Sequence, residues 1–150
     1  MKKYVVLGGI LITSMLSGCF FLNETITCTK QDKVSGMDSD QKVKVVLKSK
    51  KIQTIDMNIA IDMSKQTDGM IGVAKSVLSS TYDPMKADGI ETSVKEKDKK
   101  INVNVNMDFE KASKKSLQNV DSNFANSKDK KIDTDEFIKS MEQEGYKCKK

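Results

Sequence analysis

The sequence predicts an α+β fold, a two-layer sandwich in which helices pack on one face of an antiparallel sheet. Three observations carry this. The runs Ile55 to Met63 and Ile101 to Phe109 alternate apolar and polar residues, the period of a strand with one buried face. Each run follows a shorter strand-like stretch and a Lys-rich turn. Each is then followed by apolar residues at helical spacing, so helices are at hand to cover the apolar faces.

The elements can be read in order. Thr25 to Thr29 is β-rich by residue type, and residues 31–41 read as a loop. Val43 to Leu47 is a second strand and Lys48 to Lys51 a turn, leading into the first long run, whose buried face is Ile55, Met57, Ile59, Ile61 and Met63. A helix follows with Met70, Val73, Ala74, Val77 and Leu78 along it, ending by Asp83-Pro84. Gly89 precedes a strand from Ile90 to Val94, and the turn Lys95 to Lys100 leads into the second long run, with Ile101, Val103, Val105, Met107 and Phe109 buried. The two long runs match position by position, down to Asp62 and Asp108, which suggests a ββα duplication. A segment with Leu117, Val120 and Phe124 and a polar loop come next. The last helix, capped by Asp133 or Thr134, carries Phe137, Ile138 and Met141 and stops at Gly145, so that Tyr146 to Cys148 return to the body.

Composition narrows the chemistry. Among 150 residues there is no His, and all 26 basic residues are Lys. The first absence removes Ser-His-Asp and Cys-His nucleophiles, imidazole metal sites and histidine pH sensing. The second removes bidentate guanidinium clamps on phosphate or carboxylate. With no Trp and 5% aromatics, stacking platforms for nucleic acid are not expected either. The reading is therefore of a chain that is not an enzyme and takes no cofactor, metal or nucleic acid.

The N-terminus reads as a secretory leader over residues 1–18. Lys2-Lys3 precede the apolar stretch Tyr4 to Met15, which is short for a bilayer span but right for a signal segment. Leu16-Ser17-Gly18-Cys19 then resembles the lipobox of bacterial lipoproteins. That resemblance implies a diacylglyceryl thioether on Cys19, which becomes the first residue of the mature chain. Residues 19–24 are then a lipidated cysteine and short tether, and 25–150 a single domain on the outer face of the cell membrane. Removing Lys2 and Lys3 with the leader takes the formal charge from +5 to +3, a balance suited to an anionic surface and equally to mere solubility.

Cys28 and Cys148 are the remaining cysteines. Outside the membrane they can form a disulfide closing a loop of about 120 residues. Two free buried thiols, or a redox or metal pair, are the alternatives. The anchor cysteine, Thr27-Cys28-Thr29 at the first strand, the paired alternating strands and the terminal Gly145-Tyr146-x-Cys148 together resemble the YehR-like family of small bacterial lipoproteins. The resemblance spans the mature chain. It implies an α+β two-layer domain with no established activity, so no catalytic residue is carried over.

Other candidates have plainer readings beside them. Asp38-Ser39-Asp40 and Asp133-Thr134-Asp135-Glu136 resemble pieces of calcium loops but lack the glycine and glutamate of an EF-hand. A loop and a helix cap account for them. Asp62 and Asp108 form a carboxylate pair sharing a proton if the long strands bring them together, and otherwise end strands or cap helices. The methionines Met57, Met63, Met70, Met85, Met107 and Met141 supply much of the expected core, or line a pocket for an apolar ligand. The leading expectation is a membrane-anchored binding or interaction module with an unidentified protein or envelope partner. The alternative is a carrier holding a lipid or other hydrophobic ligand between sheet and helices.

Overall fold

The computed structural model describes residues 23–34 and 36–150, so the leader, Cys19 and the apolar residues Phe20 to Leu22 lie outside the described residues. One antiparallel sheet of six strands carries the domain, in the order β4-β5-β3-β2-β1-β6. Its strands are β1 (Asn23–Val34), β2 (Met37–Lys48), β3 (Lys51–Asp62), β4 (Ile90–Lys97), β5 (Lys100–Asp108) and β6 (Lys147–Lys149). Four helices, α1 (Asp68–Tyr82), α2 (Lys114–Val120), α3 (Ser122–Ser127) and α4 (Thr134–Gln143), cover one face, giving the α+β sandwich read from the sequence.

The alternation sets the register. Ile55, Ile61 and Met63 are buried beside Ile101, Val103, Val105, Met107 and Phe109, while Asn104 is exposed. Met57 and Ile59 are only half-buried, although their partners Val105 and Val103 are buried. Ile59 touches both apolar clusters of the core, one beneath α1 and one beneath the later helices, and so sits at the seam between them.

Of the loop expected over residues 31–41, residues 31–34 and 37–41 are instead strand. β1 and β2 continue as a hairpin, with Gln31 opposite Asp40 and Lys33 opposite Asp38. The chain reverses at Gly36, whose φ of +80° suits glycine. Only Val34 and Met37 are apolar at this end of the hairpin, so no alternation of apolar residues marks it. Cross-strand contacts hold it instead: Gln31 Nε2 donates to Asp40 at 2.9 Å and Lys33 pairs with Asp38 at 3.9 Å.

The expected duplication corresponds to a local two-fold symmetry. The central strands β3 and β5 pair about Asn58 and Asn104, which face each other and lie 46 residues apart. Other contacts recur at the same spacing. Met63 N donates to Lys99 O at 2.9 Å, and its counterpart Phe109 N donates to Gln53 O at 2.8 Å. Thr67 caps α1 by accepting from Met70 N, and Ser113 caps α2 by accepting from Ser116 N. Ile71 and Leu117 are the buried residues of those two helices.

Gly89 sits where the halves join, with φ +75°. A Cβ there would collide with Ala112 N and come within 2.7 Å of Asp108 O, so no larger residue fits.

Candidate functional site

Cys28 and Cys148 are bonded, with Cα atoms 4.0 Å apart. They are direct cross-strand partners on β1 and β6, an arrangement in which Cα spacing falls to about 4.5 Å. That explains an approach closer than the usual disulfide range of roughly 4.4–6.8 Å. The two sulfurs are thus paired and not free in this structure. β6 is reached from α4 through Gly145, at φ +89°, and Tyr146, whose hydroxyl donates to Gln41 at 2.7 Å.

The carboxylate pair is not formed. β3 and β5 do neighbour each other but run antiparallel, so Asp62 faces Lys100 at one end and Asp108 faces Thr54 at the other. That places them roughly 26 Å apart along the strands. Asp62 accepts from Ser64 N at 2.8 Å, and this backbone bond pulls its carboxyl below the ordinary value of 3.8. Asp108 is lowered first by the Lys111 ammonium at 2.9 Å, and it also accepts from the N–H of Glu110 and Lys111. Both groups are charged turn caps. Asp133 likewise caps α4, accepting from the N–H of Asp135 and Glu136, which lowers its carboxyl. Asp38 and Asp40 are taken up by Lys33 and Gln31.

The surprise lies on α1. The sequence placed Met70, Val73 and Val77 on its buried face, but they are 56%, 66% and 58% exposed. Ile71 is buried, with Ala74, Leu78 and Tyr82 packed beside or beneath it. The apolar arc of α1 is wider than one contact face, and the helix docks through the other part of it. Beside the exposed stripe lies an open apolar groove of about 380 Å³, lined by Met37, Met63, Gln66, Met70, Val73 and Ala74. Met70 therefore leaves the expected core, and Met37, read as part of a loop, joins the groove.

The second half of the molecule does not repeat this stripe. At the repeat spacing, Ile71, Ala74 and Leu78 correspond to Leu117, Val120 and Phe124, apolar in both halves. Met70, Val73 and Val77 correspond to Ser116, Asn119 and Asn123, which are polar. Beyond the helix start the two halves differ in detail. Phe124 of α3 stacks edge-on against Phe109 at 6.3 Å, and Lys128 Nζ donates to Phe109 O at 2.7 Å and to Ala112 O. Phe137, Ile138 and Met141 of α4 pack onto the same core.

Among the described residues the opposite face of the sheet is bare and polar. Along it Asn58 Nδ2 donates to Asn104 Oδ1 at 2.6 Å, and Asn106 Nδ2 donates to Asp56. Toward β6 this face opens into a hollow of about 720 Å³ lined by Thr29, Gln31, Asp40, Lys42, Asn58 and Lys147.

The fold is an α+β sandwich with a terminal disulfide. Two solved structures share this fold. The NMR structure of Escherichia coli YehR is similar over 84% of this chain and 91% of its own, at 20% identity and a TM-score of 0.55. The NMR structure of a protein from Streptococcus pneumoniae TIGR4 covers 99% of this chain and 97% of its own, at 12% identity and a TM-score of 0.53. The chain thus has a YehR-like fold. No family model and no curated protein matches it.

Proposed function

We propose that this chain is an extracytoplasmic lipoprotein of the YehR-like family, held in the cell membrane through Cys19, and that its domain is a non-catalytic interaction module. Its partner, on this reading, is a protein presenting a short amphipathic helix to α1. The single observation that carries the reading is the exposed stripe Met70, Val73 and Val77, apolar where the repeat has Ser116, Asn119 and Asn123. Exposed apolar area that the fold does not need marks a contact surface. The occupant is argued from the groove beside the stripe, an open apolar cleft of about 380 Å³ along α1. A partner helix laid along α1 places an apolar side chain beside the three methionines Met37, Met63 and Met70. Family membership is supported by the shared fold together with the lipobox and the terminal Gly145-Tyr146-x-Cys148.

The methionine lining favours a second reading, a carrier of a hydrophobic ligand. The groove, however, opens at the end of the sandwich and is not enclosed between sheet and helices, so it suits a side chain better than a whole lipid tail.

The test transplants the polar face of one half onto the other, as Met70→Ser, Val73→Asn and Val77→Asn together. A photo-cross-linker at position 73 in intact cells should give an adduct mapping to the apolar side of a helix in one partner protein. The same probe at position 119 should not, and adding Met70→Ser and Val77→Asn to the position-73 probe should abolish it. Equal adducts from positions 73 and 119 would sink the reading. Adducts with lipid at position 73 would transfer the site to the carrier, and adducts with a second copy would make it a dimer face. The anchor is tested separately: Cys19→Ala should abolish labelling by palmitate and release the protein from membranes.

A further inference from the structure

The sequence Lys147-Cys148-Lys149 is a short strand whose middle residue is stapled to the domain. Cys148 bonds to Cys28, which is 1% exposed on the helix-covered side of the sheet. Side chains alternate along a strand, so Lys147 and Lys149 project from the bare face. The register puts Lys147 opposite Thr29 and Lys149 opposite Thr27, while those threonines face Lys42 and Lys44 across β1 and β2. Four ammonium-bearing side chains thus frame two hydroxyls. The frame is roughly 10 Å across, two strand spacings, and about 7 Å along the strands.

All four lysines are exposed, and none forms an ion pair or side-chain hydrogen bond among the described residues. The nearest carboxylates on this face are Asp40 and Asp56. Each accepts from an amide, Gln31 or Asn106, and together they leave the cluster with an excess of positive charge. The position of the cluster matters as much as its sign. Thr27 and Thr29 lie about 13 and 20 Å along β1 from Asn23. Cys19 is four residues before Asn23, a reach of at most roughly 14 Å.

We propose that Lys42, Lys44, Lys147 and Lys149 form a docking surface for the anionic phospholipid head groups of the membrane that carries the anchor, so that the domain lies with its bare sheet face on the bilayer. The inference rests on the anchoring at Cys19 proposed above, which holds the cluster beside the head groups. A short tether turns a weak electrostatic contact into one of high effective concentration, so four lysines are enough to set orientation. Lying this way, the domain turns α1 and its apolar stripe away from the membrane, toward a partner. The disulfide gains a role beyond stability. A three-residue edge strand has little else to hold it, and the staple keeps two of the four lysines in the frame.

The experiment uses the purified full-length lipoprotein mixed with vesicles of phosphatidylcholine alone or of phosphatidylcholine with phosphatidylglycerol. Flotation and acylation of each lysine by a water-soluble reagent are measured. Flotation with phosphatidylcholine reads the anchor alone. On phosphatidylglycerol the four lysines should be acylated several-fold more slowly than on phosphatidylcholine, and Lys75 of α1 should react alike on both. The protection should vanish at about 1 M salt, where the screening length is roughly 3 Å. Lys147→Gln with Lys149→Gln should cut the protection of Lys42 and Lys44, and reduction of the disulfide should do the same without removing a charge.

A protein that floats on both vesicles with equal acylation overturns the orientation and leaves the anchor standing. Flotation on phosphatidylglycerol only supports the lysine surface and overturns the anchor. Flotation on neither overturns both. Protection of Lys75 together with the four would mean the domain is buried without preference, and overturns the proposal. So would protection on phosphatidylcholine by added polyphosphate without any by phosphatidylglycerol, which would assign the cluster to a soluble polyanion.

Discussion

The two ββα halves share a plan and differ in what lies over them. Each has a hairpin whose inner strand pairs at the central Asn58–Asn104 contact, an aspartate closing the strand, a hydroxyl N-cap and one buried aliphatic residue on the helix. In the first half the helix continues unbroken for 15 residues and its outer side is apolar and open. In the second, the helix breaks at Asp121, which ends α2 and caps α3, and Lys128 beyond α3 ties the chain back to Phe109 O and Ala112 O. The comparison separates what the scaffold requires from what it does not. Positions apolar in both halves hold the sandwich together, and positions apolar in one alone are free for another purpose.

The largest effect should come from the terminal staple, which ties β6 to β1 at one edge of the sheet. Its loop of 120 residues is worth on the order of 4–5 kcal/mol in the chain-entropy model, so reduction should lower the melting temperature by roughly 10–20 °C. Amide exchange should quicken in β6 and α4 and stay unchanged in α1. Faster exchange in α1 as well would mean that the halves do not behave as separable covers.

The equivalent core residues should differ next. Leu117 is fully buried, and Leu117→Ala should cost about 4 kcal/mol in denaturant unfolding. Ile71 packs under a single helix open on its far side, and Ile71→Ala should cost about 2 kcal/mol because the groove can collapse. Equal losses would erase the asymmetry.

The caps should show symmetry instead. Thr67→Ala and Ser113→Ala should each cost about 1 kcal/mol, and a difference well beyond that would show the two helix starts are not equivalent. Smaller still, the triple change Met70→Ser, Val73→Asn and Val77→Asn should shift stability by no more than about 1 kcal/mol, since surface positions lie near neutral. A clear loss of melting temperature would make the stripe part of the core after all.

The last comparison is in acid. Asp62 and Asp108 both have folded-state values below their ordinary 3.8, so the stability they contribute is full above that pH. It is lost as pH falls through the depressed values. Asp62→Asn and Asp108→Asn should each flatten the stability profile below about pH 4, and the two should flatten it alike. Unchanged acid profiles would remove the capping carboxylates from the account.

Wherever one face of a strand is buried and the other wet, the alternation of residues already determines the element and its facing, as it does for Ile55 to Met63 and Ile101 to Phe109. The cap at Asp133, Gly145 and the pair of cysteines are legible for the same reason, since each solves a local backbone or covalent problem. The hairpin through residues 31–41 is not legible, because only Val34 and Met37 are apolar there and its bonds are to a partner strand. Nor is the site on α1. Met70, Ile71, Val73, Ala74, Val77 and Leu78 span more of the helix than one contact can cover, and periodicity cannot choose among them. The docking of Ile71 and Leu78 onto the sheet makes that choice, and leaves Met70, Val73 and Val77 in water. The lysine frame is likewise a product of register. Lys42 and Lys147 are far apart in the sequence and come to flank Thr29 only when Cys28 and Cys148 bring the last strand beside the first.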